Sequence, residues 1–95
     1  MSVYVVAKVT VNDPETYKKY AEKTPALLEK HGGKFLVRGG NVETLEGELF
    51  KGRVVVIEFP TQEALQNFYN DPDYQAAKLI RQSASEGQFL AVDGV

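Results

Sequence analysis

Cysteine and tryptophan are both absent from this 95-residue sequence, and histidine and methionine each occur once. Without cysteine there is no disulfide framework, no thiolate nucleophile and no Cys-based zinc or iron–sulfur site. One histidine excludes a multi-histidine metal cluster within a chain, and no metal site is expected. Nor is there a long apolar run of the kind a bilayer requires. The most apolar stretch, Met1–Val11, is broken by Lys8, and it lacks the basic start and the small-residue cleavage site of a signal peptide. A cytoplasmic location is the expectation. Positive charge is also scarce: 11 Lys and Arg stand against 13 Asp and Glu, for a net charge of −2. Neither nucleic acid nor a membrane surface is therefore an expected partner.

What is present is globular in composition, at 43% hydrophobic and 25% charged residues. A chain of this length has room for one domain over residues 1–95. Val3 to Val11 alternates as a strand, with Val3, Val5, Ala7, Val9 and Val11 on one face and Tyr4, Val6, Lys8 and Thr10 on the other. Asp13-Pro14-Glu15 opens a helix, carried by Tyr17, Tyr20, Ala21, Thr24, Leu27 and Leu28, with Gly32 ending it. Pro25 lacks the N–H that would reach the Ala21 carbonyl, so a kink or a division of that helix is expected. Lys34–Arg38 reads as a second strand with Phe35 and Val37 on one face and Lys34, Leu36 and Arg38 on the other. A bulge or a twist is expected at Gly39-Gly40, and an extended path through Val42 to a turn at Leu45–Glu48, with a return along Phe50–Phe59. There Val55, Ile57 and Phe59 should face the helices, with Val54, Val56 and Glu58 opposite. Thr61 caps a helix carrying Leu65 and Phe68. Asp71-Pro72 opens another bearing Tyr74, Ala77, Ile80 and Arg81, and Gly87–Asp93 is the last strand.

Strand, helix, strand, strand, helix pair, strand is the split βαβ plan of an α+β, ferredoxin-like fold. It implies a four-stranded antiparallel sheet with helices on one face. The helix-free face would carry Tyr4, Val6, Leu36, Val54 and Val56. An open apolar patch of that size is expected to be covered by a second copy, giving a homodimer paired through its sheets.

The chain resembles the domain-of-unknown-function family numbered 1330, in the dimeric α+β barrel superfamily. The likeness is carried by Tyr17 and Tyr20, by Gly32-Gly33-Lys34-Phe35-Leu36-Val37-Arg38-Gly39-Gly40, and by Thr44-Leu45-Glu46-Gly47. It continues through Val55-Val56-Ile57-Glu58-Phe59-Pro60, Phe68-Tyr69-Asn70 and Pro72-Asp73-Tyr74-Gln75 to Lys78 and Arg81. The resemblance implies the fold and the dimer, not a reaction. Superfamily relatives include cofactor-free monooxygenases, haem-degrading enzymes, lactone isomerases and non-catalytic modules, and shared architecture does not transfer function among them. Haem degradation and quinol oxidation commonly use a tryptophan or a late-helix histidine. This chain has neither, and no cofactor is expected.

Arg38 and Glu58 are expected together on the helix-free face, where a buried charge needs a partner. As functional groups, Arg38 would grip a carboxylate or enolate, and Glu58, desolvated and raised in pKa, would be a general base. The alternative is a structural ion pair of the two with each other, with Lys34 or across the dimer. Arg81 is a second candidate anion clamp near the open end of the pocket, or else a cation favoured by its helix C-terminus. Tyr4, from the open sheet face, and Tyr74, from the last helix, are candidate walls of a small-molecule site. His31 reads as a capping residue. Two functions remain open. One is a homodimeric domain binding a small anionic or apolar ligand in a polar-lined cleft between sheet and helices. The other is a cofactor-independent, monooxygenase- or isomerase-like enzyme acting on a small carboxylated or enolisable substrate.

Overall fold

Burial alternates residue by residue along Val3–Val11, strand β1, as the sequence pattern requires: Val3, Val5, Ala7 and Val9 are buried and their neighbours are not. In the computed structural model, which describes residues 1–95, β1 is followed by α1 (Pro14–Lys30), β2 (Lys34–Arg38), β3 (Arg53–Phe59), α2 (Gln62–Tyr69), α3 (Pro72–Ala84) and β4 (Ser85–Asp93). The strands lie in the order β2-β3-β1-β4, every pair antiparallel. This is the ferredoxin-like α+β fold, with the helices on one face of the sheet. The core between the layers joins Val5, Ile57 and Phe59 of the sheet to Leu28, Phe68 and Tyr74 of the helices.

Each helix begins where a capping side chain is available. Asp13 accepts from the Thr16 N–H at 3.2 Å, Thr61 from the Ala64 N–H at 3.0 Å and Asp71 from the Asp73 N–H at 2.9 Å. Each satisfies an N–H that the helix itself leaves free.

Three local expectations are corrected. Pro25 does not divide α1, which is one helix from Pro14 to Lys30. The reason is a replacement donor: Arg38 Nη2 donates to the Ala21 carbonyl oxygen at 2.7 Å, supplying the bond that proline cannot make. The bulge falls at Leu36 rather than at Gly39-Gly40, because Phe35 pairs with Ile57 while Val37 pairs with Val56. An extra residue turns over everything after it. Val37 therefore joins the open face and Arg38, opposite Val55, joins the helix face. Finally, β2 stops at Arg38 and β3 starts only at Arg53, leaving residues 39–52 irregular. Gly39, at φ +68°, makes the turn out of the ladder while its N–H still reaches the Val54 carbonyl at 3.0 Å.

The Arg38–Ala21 bond yields a testable coupling. Arg38→Gln is expected to lower stability by about 0.5–1.5 kcal/mol. In a Pro25→Ala background, where residue 25 regains its own N–H, most of that loss should vanish. A double-mutant cycle by urea unfolding measures the difference, and equal losses in both backgrounds would break the link.

Candidate functional site

The sheet separates two groups of polar residues that the sequence pattern places together. On the open face, Glu58 lies between two cross-strand neighbours, Tyr4 on β1 and Lys34 on β2. Tyr4 Oη donates to Glu58 Oε2 at 3.0 Å, and Lys34 Nζ stands 3.3 Å from Oε1. The Tyr4 hydroxyl first, and Lys34 second, hold the Glu58 carboxyl below the usual carboxylate range. The same bond raises the Tyr4 phenol. Glu58 is thus an ionised, satisfied acceptor, which corrects its expected role as a base of raised pKa. Its ion pair is with Lys34, and Arg38 is on the other side of the sheet.

A second polar cluster ties the helix ends together. Asp71, buried at the start of α3, accepts from Lys30 Nζ at 2.8 Å, and its Oδ2 lies 2.7 Å from His31 Nε2. His31 is the C-cap residue of α1, as its position before Gly32 suggests. Lys30 first, then His31 and the Asp73 N–H, drive the Asp71 pKa far below the ordinary carboxylate value. A depressed folded-state pKa stabilises the fold above the unfolded value and ceases to do so as pH falls through the folded one. The Tm deficit of Asp71→Asn relative to the parent should therefore be full above about pH 4 and shrink steadily below it. A deficit independent of pH from 7 to 2 would show that this charge does not act as described.

The most apolar cavity lies between the layers. It is a cleft of about 270 Å³ with Val5, Ile57 and Phe89 on the sheet side and Phe68, Tyr74 and Tyr20 on the helix side. All but one of its eleven lining residues are hydrophobic, the exception being Gln66. Tyr74 lines it as the sequence suggests, whereas Tyr4 does not. The Tyr20 and Tyr74 hydroxyls stand 3.1 Å apart in the interior. Burial pushes the Tyr20 phenol well above its ordinary value, so it stays protonated and available as a donor.

The polar lining expected for the cleft is confined to a smaller niche of about 30 Å³, to which Arg38 and Arg53 contribute. Tyr20, Ile57 and Phe89 line both spaces. Arg81 is not at the open end. It is buried, with its guanidinium 3.9 Å from the centre of the Phe89 ring and 5.7 Å from that of Tyr20. The reason is its place on the inner stripe of α3 beside Tyr74, Ala77 and Ala84. Arg53, 5.7 Å from the Tyr17 ring, is a member of the niche that the sequence reading passes over. Its parity with Val55, Ile57 and Phe59 is the signal that could have found it.

A family model described as a domain of unknown function, DUF1330, matches residues 2–95. The chain belongs to the DUF1330 family. No curated protein matches it. Among solved structures, this DUF1330 chain is similar to a protein of unknown function from Rhodopseudomonas palustris, with a TM-score of 0.83 and 21% identity, covering 99% of this chain and 82% of that one. It is also similar to a dimeric ferredoxin-like protein of unknown function from Jannaschia sp., with a TM-score of 0.68 and 11% identity, covering 99% and 100%. A third neighbour is SnoaB, a cofactor-independent oxygenase from Streptomyces nogalater, with a TM-score of 0.67 and 18% identity, covering 99% and 93%. At these identities the likeness concerns the fold. No helix of this DUF1330 chain is long and apolar enough to cross a membrane.

Proposed function

We propose that the protein is a homodimer that binds a small, largely apolar organic molecule in the cleft between its sheet and its helices. The cleft carries the reading: about 270 Å³ of aromatic-walled space, with the paired Tyr20 and Tyr74 hydroxyls among its few polar groups. Concave, mostly apolar space with a few fixed polar groups is the usual form of a small-molecule site. The volume suits a single ring or a short branched chain. Pairing through the open sheet face is supported by the exposed Val37, Leu90 and Val92 there, and by the dimeric description of the Jannaschia neighbour.

A second reading, cofactor-independent catalysis on an enolisable substrate, is supported by the likeness in fold to SnoaB. Its proton acceptor would have to be a group other than Glu58, which the sheet separates from the cleft.

Amide chemical-shift mapping tests the first reading, with toluene and the neutral 3-phenylpropanamide as probes. Saturable shifts are expected at Leu65, Tyr74, Phe89 and Ala91. Absent shifts, or shifts scattered over the outer helix faces, would end it. Native mass spectrometry of the same sample should give a dimer, and a monomer at micromolar concentration would contradict the covered sheet.

A further inference from the structure

Arg81 occupies a position that the rest of α3 reserves for apolar side chains. Tyr74, Ala77 and Ala84 share its inner stripe, and Arg81 is only 7% exposed. Charged side chains in such places normally meet a carboxylate, because water has been removed from them. Arg81 meets none. The ion pairs of the molecule are formed by Lys30, His31 and Lys34, and no arginine takes part in one. The Nε of Arg81 is buried without a hydrogen-bond partner, and so is the Nε of Arg53. Two guanidinium groups in one region between the layers thus each keep a donor in reserve.

Their positions relative to the cleft give that reserve a use. Arg81 is not itself in the lining of either space, but it lies directly against Phe89 and Tyr20, the rings that line both the 270 Å³ cleft and the 30 Å³ niche. Arg53 borders the niche from the β3 side, beside Tyr17. A planar guanidinium fork fits a carboxylate with two parallel hydrogen bonds. The niche has room for about two water-sized groups, which suits the two oxygens of a carboxylate better than a tetrahedral oxyanion. Across Tyr20, Ile57 and Phe89, which border both spaces, the cleft offers almost only apolar wall.

Resting on the reading of the cleft as a ligand site, we propose that its ligand is a monocarboxylic acid with a compact aromatic or branched body. The carboxylate is received beside Tyr20 and Phe89 by Arg81, with Arg53 as the second cation. The body fills the cleft against Phe68 and Tyr74.

Calorimetric and amide-shift titrations of the full chain at pH 7 with 3-phenylpropanoate, 3-phenylpropanamide and acetate test this. The carboxylate should bind at least about tenfold tighter than the amide, the difference a charge-assisted bond contributes, and acetate far more weakly than either. Arg81→Met should bring the carboxylate down to the affinity of the amide while leaving amide binding in place. Arg53→Met should weaken only the carboxylate, which keeps the proposal testable should the Arg81 variant fail to fold. Equal binding of acid and amide by the parent protein would overturn the proposal while the cleft reading stands. Binding of neither would remove both. Acetate binding as tightly as 3-phenylpropanoate would mean a site for free small oxyanions and overturn the carboxylic acid assignment, as would an unchanged acid preference in both variants.

Discussion

Phe59→Ala should remove about 3–5 kcal/mol of stability, a large share of the roughly 5–14 kcal/mol that a domain of this length possesses. Phe59 is the last residue of β3, opposite Val3, with none of its surface exposed. Its ring stands 5.2 Å from that of Phe68, so its loss opens a void where the sheet meets α2. The neighbouring Gly33 offers an internal control. A Cβ there would meet Phe59 Cε1 at 2.7 Å and Leu28 Cδ2 at 3.1 Å. Gly33→Ala alone should therefore destabilise, yet in the Phe59→Ala background it should cost nothing or recover part of the void. Urea midpoints of the four proteins measure both effects. A loss below about 1 kcal/mol for Phe59→Ala would mean that the site collapses far better than its close packing indicates.

Arg81→Met is expected to change stability in the opposite direction, raising it by about 1–4 kcal/mol in the absence of ligand. Replacing a buried ion pair by apolar side chains of similar volume has effects from zero up to this size, and Arg81 has no carboxylate partner that its removal would leave unpaired. The guanidinium gives up its hydration and leaves one donor unsatisfied, a cost of about 1–3 kcal/mol for the donor alone. Stacking on Phe89 and Tyr20 returns about 2 kcal/mol. Methionine keeps the unbranched stem and offers a thioether to the same rings. Thermal unfolding with and without 3-phenylpropanoate reads the result: the variant should melt higher than the parent when both are empty and gain less from the acid. A variant that melts lower when empty would show that Arg81 is a structural cation, held by its surroundings rather than held in waiting.

The architecture was legible because two periodicities dominate this chain. Alternation of period two in Val3–Val11 and Val55–Phe59, and caps at Asp13, Thr61 and Asp71 before helical stripes, place nearly every element and both faces of the sheet. The candidate site was legible in composition but not in geometry. Arg38, Arg81 and Tyr74 do gather between the layers, while Glu58 does not. One inserted residue at Leu36 reverses the parity on which the Arg38–Glu58 pairing rested, and bulges have no strong sequence signature when the strand is only five residues long. Position in the sequence points Arg81 to the helix end, although its spacing of four from Ala77 and seven from Tyr74 puts it on the inner stripe. Arg53 could have been found by parity alone. What no sequence pattern conveys is that its Nε and that of Arg81 lack partners. That depends on where every carboxylate of the chain ends up.

The central place of β1 also bears on how the protein is made. Its two neighbours are β3 and β4, and β4 leaves the ribosome roughly seventy residues after β1. At the usual rate of synthesis, β1 therefore waits on the order of 4–15 s for its last partner. During that interval a nine-residue, valine-rich segment is available to other nascent chains as well as to its own. Lys8, set in the middle of β1 and exposed on the open face, puts a charge in that segment at the point where two such strands would otherwise stack.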